Sequence, residues 1–235
     1  MELATTSWGE GDRQVLLIHG LGSNKEGWWR VGPWFAERGW TAHAVDLPGH
    51  GASPKSVTYT LDLLADALPF VDGGWDLAIG HSLGGAVAAR AAAVDGFADA
   101  LVLEDPLVFE IRREVGLAEF DLPLEPEFHV AANPAWHPRD AHIKVDALRQ
   151  CGPETVAGIA TGFEGNDLVE EIRSLAVPTL VVGAGIEPLV TPELGGLLAA
   201  GANVDFTTIP DSSHSIHRDE FEPFMGAIGE WLDDR

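Results

Sequence analysis

The sequence predicts an α/β protein built on a doubly wound, mostly parallel sheet of about seven strands, with helices on both faces and a helical insertion. Three observations lead there. Strand-like apolar runs alternate with helix-like ones, as in Val15-Leu16-Leu17-Ile18 followed by Trp28 to Arg38. The runs end in glycine-bearing turns, among them His19-Gly20-Leu21-Gly22 and Gly80-His81-Ser82-Leu83-Gly84. The alternation lapses after Pro106 and resumes near Thr179. A parallel sheet needs such crossovers, and its strands, buried on both faces, read as continuous apolar runs.

In chain order, Leu3 to Trp8 reads as a short first strand and Val15 to Ile18 as a central one. Trp28 to Arg38 is helix-like, and Thr41 to Val45 is a strand ending in the loop Asp46-Leu47-Pro48-Gly49-His50-Gly51. Thr60 to Leu68 is a helix, Trp75 to Ile79 a strand, Leu83 to Val94 an alanine-rich helix and Ala100 to Leu103 a strand before Glu104-Asp105-Pro106. Residues 106–174 lack an apolar strand run and contain helix-like pieces at Pro138 to Leu148 and Pro153 to Ile159; a structureless loop of that length is implausible in a compact domain. The core is therefore expected in residues 1–105 and 175–235, with 106–174 as the insert. Thr179 to Val182 and Val204 to Ile209 supply two more strands. Helices are expected near Pro192 to Ala200 and, amphipathic, from about Glu220 to Leu232.

Composition narrows the function classes. Asp and Glu number 37 against 14 Lys and Arg, a formal charge of −23 that repels nucleic acid and anionic membranes. No apolar stretch reaches the length of a membrane span, and the first residues lack a basic segment followed by an apolar run. Cys151 is the single cysteine, which rules out an intrachain disulfide and fits a reducing, cytoplasmic setting. No His-Glu-x-x-His or Cys/His spacing and no dinucleotide fingerprint occurs, so neither metal nor cofactor is expected.

The chemistry concentrates in three turns. Gly80-His81-Ser82-Leu83-Gly84 fits Gly-x-Ser-x-Gly between a strand and a helix, where a sharp turn lifts a serine hydroxyl over the sheet edge and the helix N-terminus favours developing negative charge. The Leu21 amide, in the glycine turn after the second strand, joins that of Leu83 as an oxyanion-hole pair. The order Ser…acid…His requires a late histidine, and His214 follows the last strand directly; His217 is the rival, expected near a helix start and away from the serine. His19, His50 and His81, in the motif loops, are expected to make structural hydrogen bonds. Trp28, Trp29, Phe109, Phe120, Phe128, Trp136 and Phe163 are candidates for an apolar pocket, or for ordinary core.

With Leu17 to Gly22, Asp46 to Gly51, Gly80 to Gly85 and the Pro210 to His214 turn in this order, the chain resembles the α/β-hydrolase fold superfamily. The resemblance spans nearly everything but the insert. It implies a helical cap insertion over the active site and a Ser-His-acid triad working through an acyl-enzyme on a carboxylic ester or lactone. Lyase or C–C hydrolase chemistry on the same triad and a slow-turnover receptor are the alternatives. Dehalogenase and epoxide-hydrolase relatives carry Asp where Ser82 stands. Two departures matter. Only 14 residues precede Val15, so the sheet is expected to lack one edge strand of the family pattern. The loop where the family places its acid, Gly183 to Val190, holds no Asp. Glu187 is its only carboxylate and the first choice for the acid, with Asp105 the main alternative and Glu104 a lesser one.

Overall fold

The computed structural model describes residues 1–110 and 123–235. A seven-stranded sheet runs through it in the order β1-β3-β2-β4-β5-β6-β7, where β1 is Thr5–Trp8, β2 Arg13–Ile18, β3 Trp40–Val45, β4 Leu77–His81, β5 Leu101–Glu104, β6 Thr179–Ala184 and β7 Val204–Ile209. All neighbours pair in parallel except β1, which lies antiparallel on β3 at the edge. The order reverses direction on either side of β2 and β4, so crossover helices fall on both faces.

On one face, helices α2 (Leu61–Asp66), α3 (Leu83–Ala92) and α8 (Pro192–Leu198) pack over Leu16, Ile18, Ala78, Leu101 and Leu103. On the other, α1 (Val31–Ala36) and α10 (Phe221–Asp233) cover Val15, Leu17, Leu77, Ile79 and Val102. The period-two alternation of the strands divides these residues between the two cores. α10 is amphipathic as its sequence suggests, burying Phe221, Phe224, Met225, Ile228 and Trp231. The first helix is shorter than Trp28 to Arg38: a 3₁₀ turn at Lys25–Trp28 precedes α1, and Pro33 sits in the first turn of α1, where its missing N–H costs no helical bond.

Between β5 and β6 lie α4 (Pro126–Ala132), α5 (Pro138–Cys151), α6 (Pro153–Gly162) and α7 (Val169–Arg173). Three of them open on a proline in the first turn. Ile159, Phe163 and Ile172 join the core cluster that contains Leu101 and Leu103, so the later part of this insertion is packed into the main body. α4 and α7 are helices that periodicity did not reveal.

β4 lies two residues later than Trp75 to Ile79. Gly80 and His81 read as turn residues, yet they stay in the ladder because Gly80 and His81 are in register with Leu103 and Glu104 of β5. Trp75 makes only an isolated bridge to Ala98. This register places Ser82 immediately beyond the sheet's carboxyl edge, beside Asp105.

Candidate active site

Ser82 caps α3 with φ +53° and ψ −115°, a left-handed conformation that a non-glycine residue seldom adopts. The turn around it is too tight for side chains. A Cβ on Gly80 would come within 2.3 Å of the Gly84 carbonyl oxygen, and one on Gly84 within 2.2 Å of that of Ile18. Both glycines are thus required by the close approach of β4, α3 and β2. The Ser82 backbone is held by its neighbours: its N–H donates to the Glu104 carbonyl (2.9 Å) and its carbonyl accepts from Leu107 N–H (3.0 Å). The amides of Leu21 and Leu83 donate to no acceptor among the described residues. Leu83 is the first residue of α3, so its N–H is one that the helix leaves unpaired.

His214 follows β7 and is about one-third exposed. Its Nδ1 lies 2.6 Å from Asp105 Oδ2. The fully buried Asp105 carboxylate also accepts from the amides of Leu189 (3.1 Å, to Oδ2) and Val190 (2.9 Å, to Oδ1). An ionised carboxylate is an acceptor only, so Nδ1 carries the proton and Nε2 is left as the basic nitrogen. No hydrogen bond joins Ser82 to His214 among the described contacts. They are neighbours through His81, whose ring centroid lies 4.7 Å from that of His214 and whose Nε2 donates to the His214 carbonyl (2.9 Å).

The position expected for Glu187 is therefore occupied otherwise. Glu187 is exposed, at φ +47°, in a loop whose Gly185 and Ile186 amides donate to the Ser212 carbonyl. The loop turns its Leu189 and Val190 amides, not its carboxylate, toward the site, and they hold Asp105. Asp105 reaches His214 because the chain leaves β5 through a left-handed residue: Asp105 itself has φ +37°. The regular alternation of a strand would have sent it to the face opposite Glu104.

His217 lies at α9 (Ile216–Asp219), buried, with Nδ1 2.8 and 2.9 Å from the two carboxylate oxygens of Glu104. The sequence offers His217 as the rival base and Glu104 as a lesser candidate for the acid, and does not pair them with each other. The available signal was a charged residue, Glu104, continuing an all-apolar strand. His19 accepts from Leu47 N–H at Nε2 (3.0 Å) and donates from Nδ1 to the Gly20 carbonyl (2.7 Å), so it ties two motif loops together. His50 Nδ1 lies 3.1 Å from the Pro48 carbonyl oxygen. Of the aromatic candidates, Trp28 and Phe163 belong to the two cores, and Trp136 donates from Nε1 to Asp219 (2.8 Å). Phe109 and Phe128 are exposed, and Phe120 lies outside the described residues. Among the described residues no cluster of His, Cys, Asp and Glu could hold a metal ion, and no helix is long and apolar enough to cross a membrane.

Burial governs the protonation of these histidines. It holds His81 well below the usual imidazole range, and pushes His50 and His217 down to about 3. For His50 the nearby His19 adds to the effect; for His217 Arg218 does, against the opposing carboxylates of Asp140 and Asp219. The folded state keeps these rings neutral while the unfolded chain protonates near 6.5. Their stabilisation is thus present above about pH 6.5 and is lost on acidification, with a slope of about 1.4 kcal/mol per pH unit for each ring. Burial also raises the Glu104 carboxyl, which acts in the opposite sense once it takes up its proton. Thermal melts should show Tm falling between about pH 6.5 and 5, where the histidines of the unfolded chain take up protons and ordinary carboxylates do not. A flat Tm across that interval would contradict buried neutral histidines.

The strand–serine–helix turn, the late histidine and the carboxylate behind it have the arrangement of a nucleophile-elbow site on a doubly wound sheet. The model of the alpha/beta hydrolase family matches residues 15–227, and the chain belongs to that family. Over 253 aligned positions it is 28% identical to a pimeloyl-(acyl-carrier protein) methyl ester esterase of Edwardsiella ictaluri (strain 93-146), covering 97% of this chain and 96% of that one. It is 40% identical to lipase LipV of Mycobacterium tuberculosis (strain ATCC 25618 / H37Rv) over 103 residues, 42% of this chain and 39% of the lipase. Among solved structures it superimposes on the enol-lactonase of Burkholderia xenovorans LB400 with a TM-score of 0.81, at 20% identity over 98% of this chain and 96% of that one, a likeness of fold.

Proposed function

We propose that this protein is a serine hydrolase that cleaves a small carboxylic ester or lactone through an acyl-enzyme, with Ser82 as nucleophile, His214 as base and Asp105 as the acid behind it. One observation carries the reading: the buried, amide-held Asp105 carboxylate sits 2.6 Å from Nδ1 of His214, beside a serine at left-handed φ on a glycine-flanked turn. The esterase and lipase relatives support an ester as substrate class.

The Ser82 oxygen bonds to the ester carbonyl carbon as its proton passes to His214 Nε2. The carbonyl oxygen becomes an oxyanion that accepts from the free amides of Leu21 and Leu83. His214 returns the proton to the departing alcohol oxygen as the C–O bond breaks. Water then loses a proton to His214, attacks the acyl carbon, and the Ser82 ester breaks to release the acid. Asp105 holds the Nδ1–H tautomer and stabilises the transient imidazolium. The described helices of the insertion, α4 to α7, act as the cap over this site. The acidic surface and the single buried Cys151 suit a cytoplasmic enzyme acting on an uncharged, apolar substrate.

A fluorophosphonate probe, a panel of p-nitrophenyl esters of graded acyl length and a series of lactones test this together. The expected result is stoichiometric labelling of Ser82 and multiple turnovers on part of the panel. Labelling without turnover would identify a receptor, and inertness to both probe and esters would overturn the reading.

A further inference from the structure

Behind the Asp105–His214 pair stands a second carboxylate–histidine pair with no part in the proposed chemistry. Glu104 is completely buried. Its Oε1 accepts from the backbone N–H of His217 (2.9 Å), and both oxygens lie within 2.9 Å of His217 Nδ1. The same residue reaches the nucleophile turn from its main chain, where its carbonyl accepts from Ser82 N–H (2.9 Å). His217 is in turn clamped by Trp28, stacked at 4.6 Å, and by the edge of His81 at 5.3 Å. His81 completes the set: its Nε2 holds the His214 carbonyl, and its Nδ1 would stand 2.8 Å from a Cβ placed on Gly20 in the oxyanion turn.

We propose that Glu104 and His217 are positioning residues that lock the His214 turn onto the Ser82 turn, acting from beneath the site without touching substrate. The physical argument starts from cost. A buried carboxylate in an apolar layer is dearly desolvated, and a well-packed aliphatic side chain like that of Val102 below it would be as stable or more so. What an aliphatic residue could not do is grip the first turn of α9 at both main chain and side chain. His214 is otherwise fixed by its Nδ1 bond and its carbonyl, and its ring is partly exposed on a short turn. Successive residues of one strand end thus hold the two histidines of His214-Ser215-Ile216-His217: Glu104 the buried one, Asp105 the reacting one.

The inference rests on the Ser82–His214 reading, so Ser82→Ala is measured alongside. Glu104→Gln keeps the shape but faces an N–H with an amide; His217→Leu removes the donor; His217→Asn retains a donor near the Nδ1 position. With folded fraction checked by near-UV circular dichroism, kcat on a p-nitrophenyl ester should fall about 10- to 100-fold in Glu104→Gln and His217→Leu with KM little changed, and recover substantially in His217→Asn. The acid limb of the kcat/KM profile should move to lower pH in Glu104→Gln, since a negative charge that favours imidazolium at His214 is gone. The titratable and charged groups facing the pair, His81, Asp105, Asp140, His214, Arg218 and Asp219, are retained in every variant. Wild-type kcat and an unshifted profile in both Glu104→Gln and His217→Leu, or losses that only follow the unfolded fraction, would overturn the proposal while leaving the nucleophile intact. A fully active Ser82→Ala would instead remove the reading beneath it.

Discussion

Replacing Ser82 with alanine should abolish ester turnover, with kcat reduced on the order of 10⁵- to 10⁶-fold, while the fold survives. The loss is large because in the proposed mechanism the hydroxyl oxygen is the atom that bonds to the acyl carbon; without it only the Leu21 and Leu83 amides and substrate binding would remain to help water attack. The fold survives because no side-chain hydrogen bond of Ser82 is found among the described residues, and its backbone bonds to Glu104 and Leu107 are unaffected by the change. Alanine suffers the same steric strain as serine at φ +53°, so the melting temperature should stay close to wild type. Glycine at this position is the sharper control. It relieves the positive φ and removes the nucleophile, so Ser82→Gly should be as inactive as Ser82→Ala and slightly more stable, by about 1 kcal/mol at most. Steady-state kinetics with a thermal melt of each variant checks both. Residual turnover near wild type in either one would exclude Ser82 as nucleophile.

The elements legible in the sequence were those whose signal is local. Buried parallel strands print as apolar runs, and the turn at Ser82 prints as flanking glycines because the atoms opposite them leave no room for a Cβ. The register of β4 was less legible, since Gly80 and His81 look like turn residues and only pairing with β5 makes them strand. Helix α4 carries a single buried residue, His129, and so no apolar stripe to read. Asp105, which meets His214, ranks behind Glu187 in the sequence for a long-range reason. Residues 105 and 214 meet through the φ +37° of Asp105 and through the amides of Leu189 and Val190, neither of which has a sequence signature. Glu187 had the more suggestive position in the chain, and a positive φ too, but its loop delivers backbone donors inward and leaves the carboxylate in solvent.

That difference makes the acid the most discriminating comparison. Asp105→Asn should lower kcat by about four orders of magnitude, whereas Glu187→Gln should stay within about twofold of wild type. Asparagine keeps the size of the side chain but has one acceptor oxygen where the site presents three donors: Leu189 N–H, Val190 N–H and His214 Nδ1–H. If its oxygen takes the Oδ1 place and serves Val190 N–H, its NH₂ opposes Leu189 N–H and faces Nδ1, which must then give up its proton; the imidazole adopts the opposite tautomer and Nε2 can no longer take the serine proton. If the amide rotates, its oxygen serves Leu189 N–H and Nδ1–H, so the tautomer survives, while its NH₂ opposes Val190 N–H and the loop that cradles it is destabilised by about 1–3 kcal/mol. Both arrangements lower Tm, since each sets the NH₂ against one loop amide, but only the first forces the wrong tautomer, so the large loss of kcat identifies it. Glu187 has no such entanglement, because neutralising an exposed carboxylate at a loop tip changes surface charge and little else. A large loss in Glu187→Gln beside a mild one in Asp105→Asn would mean that the loop rearranges in the working enzyme to bring Glu187 onto Nδ1, and that the buried Asp105 serves only to hold the loop.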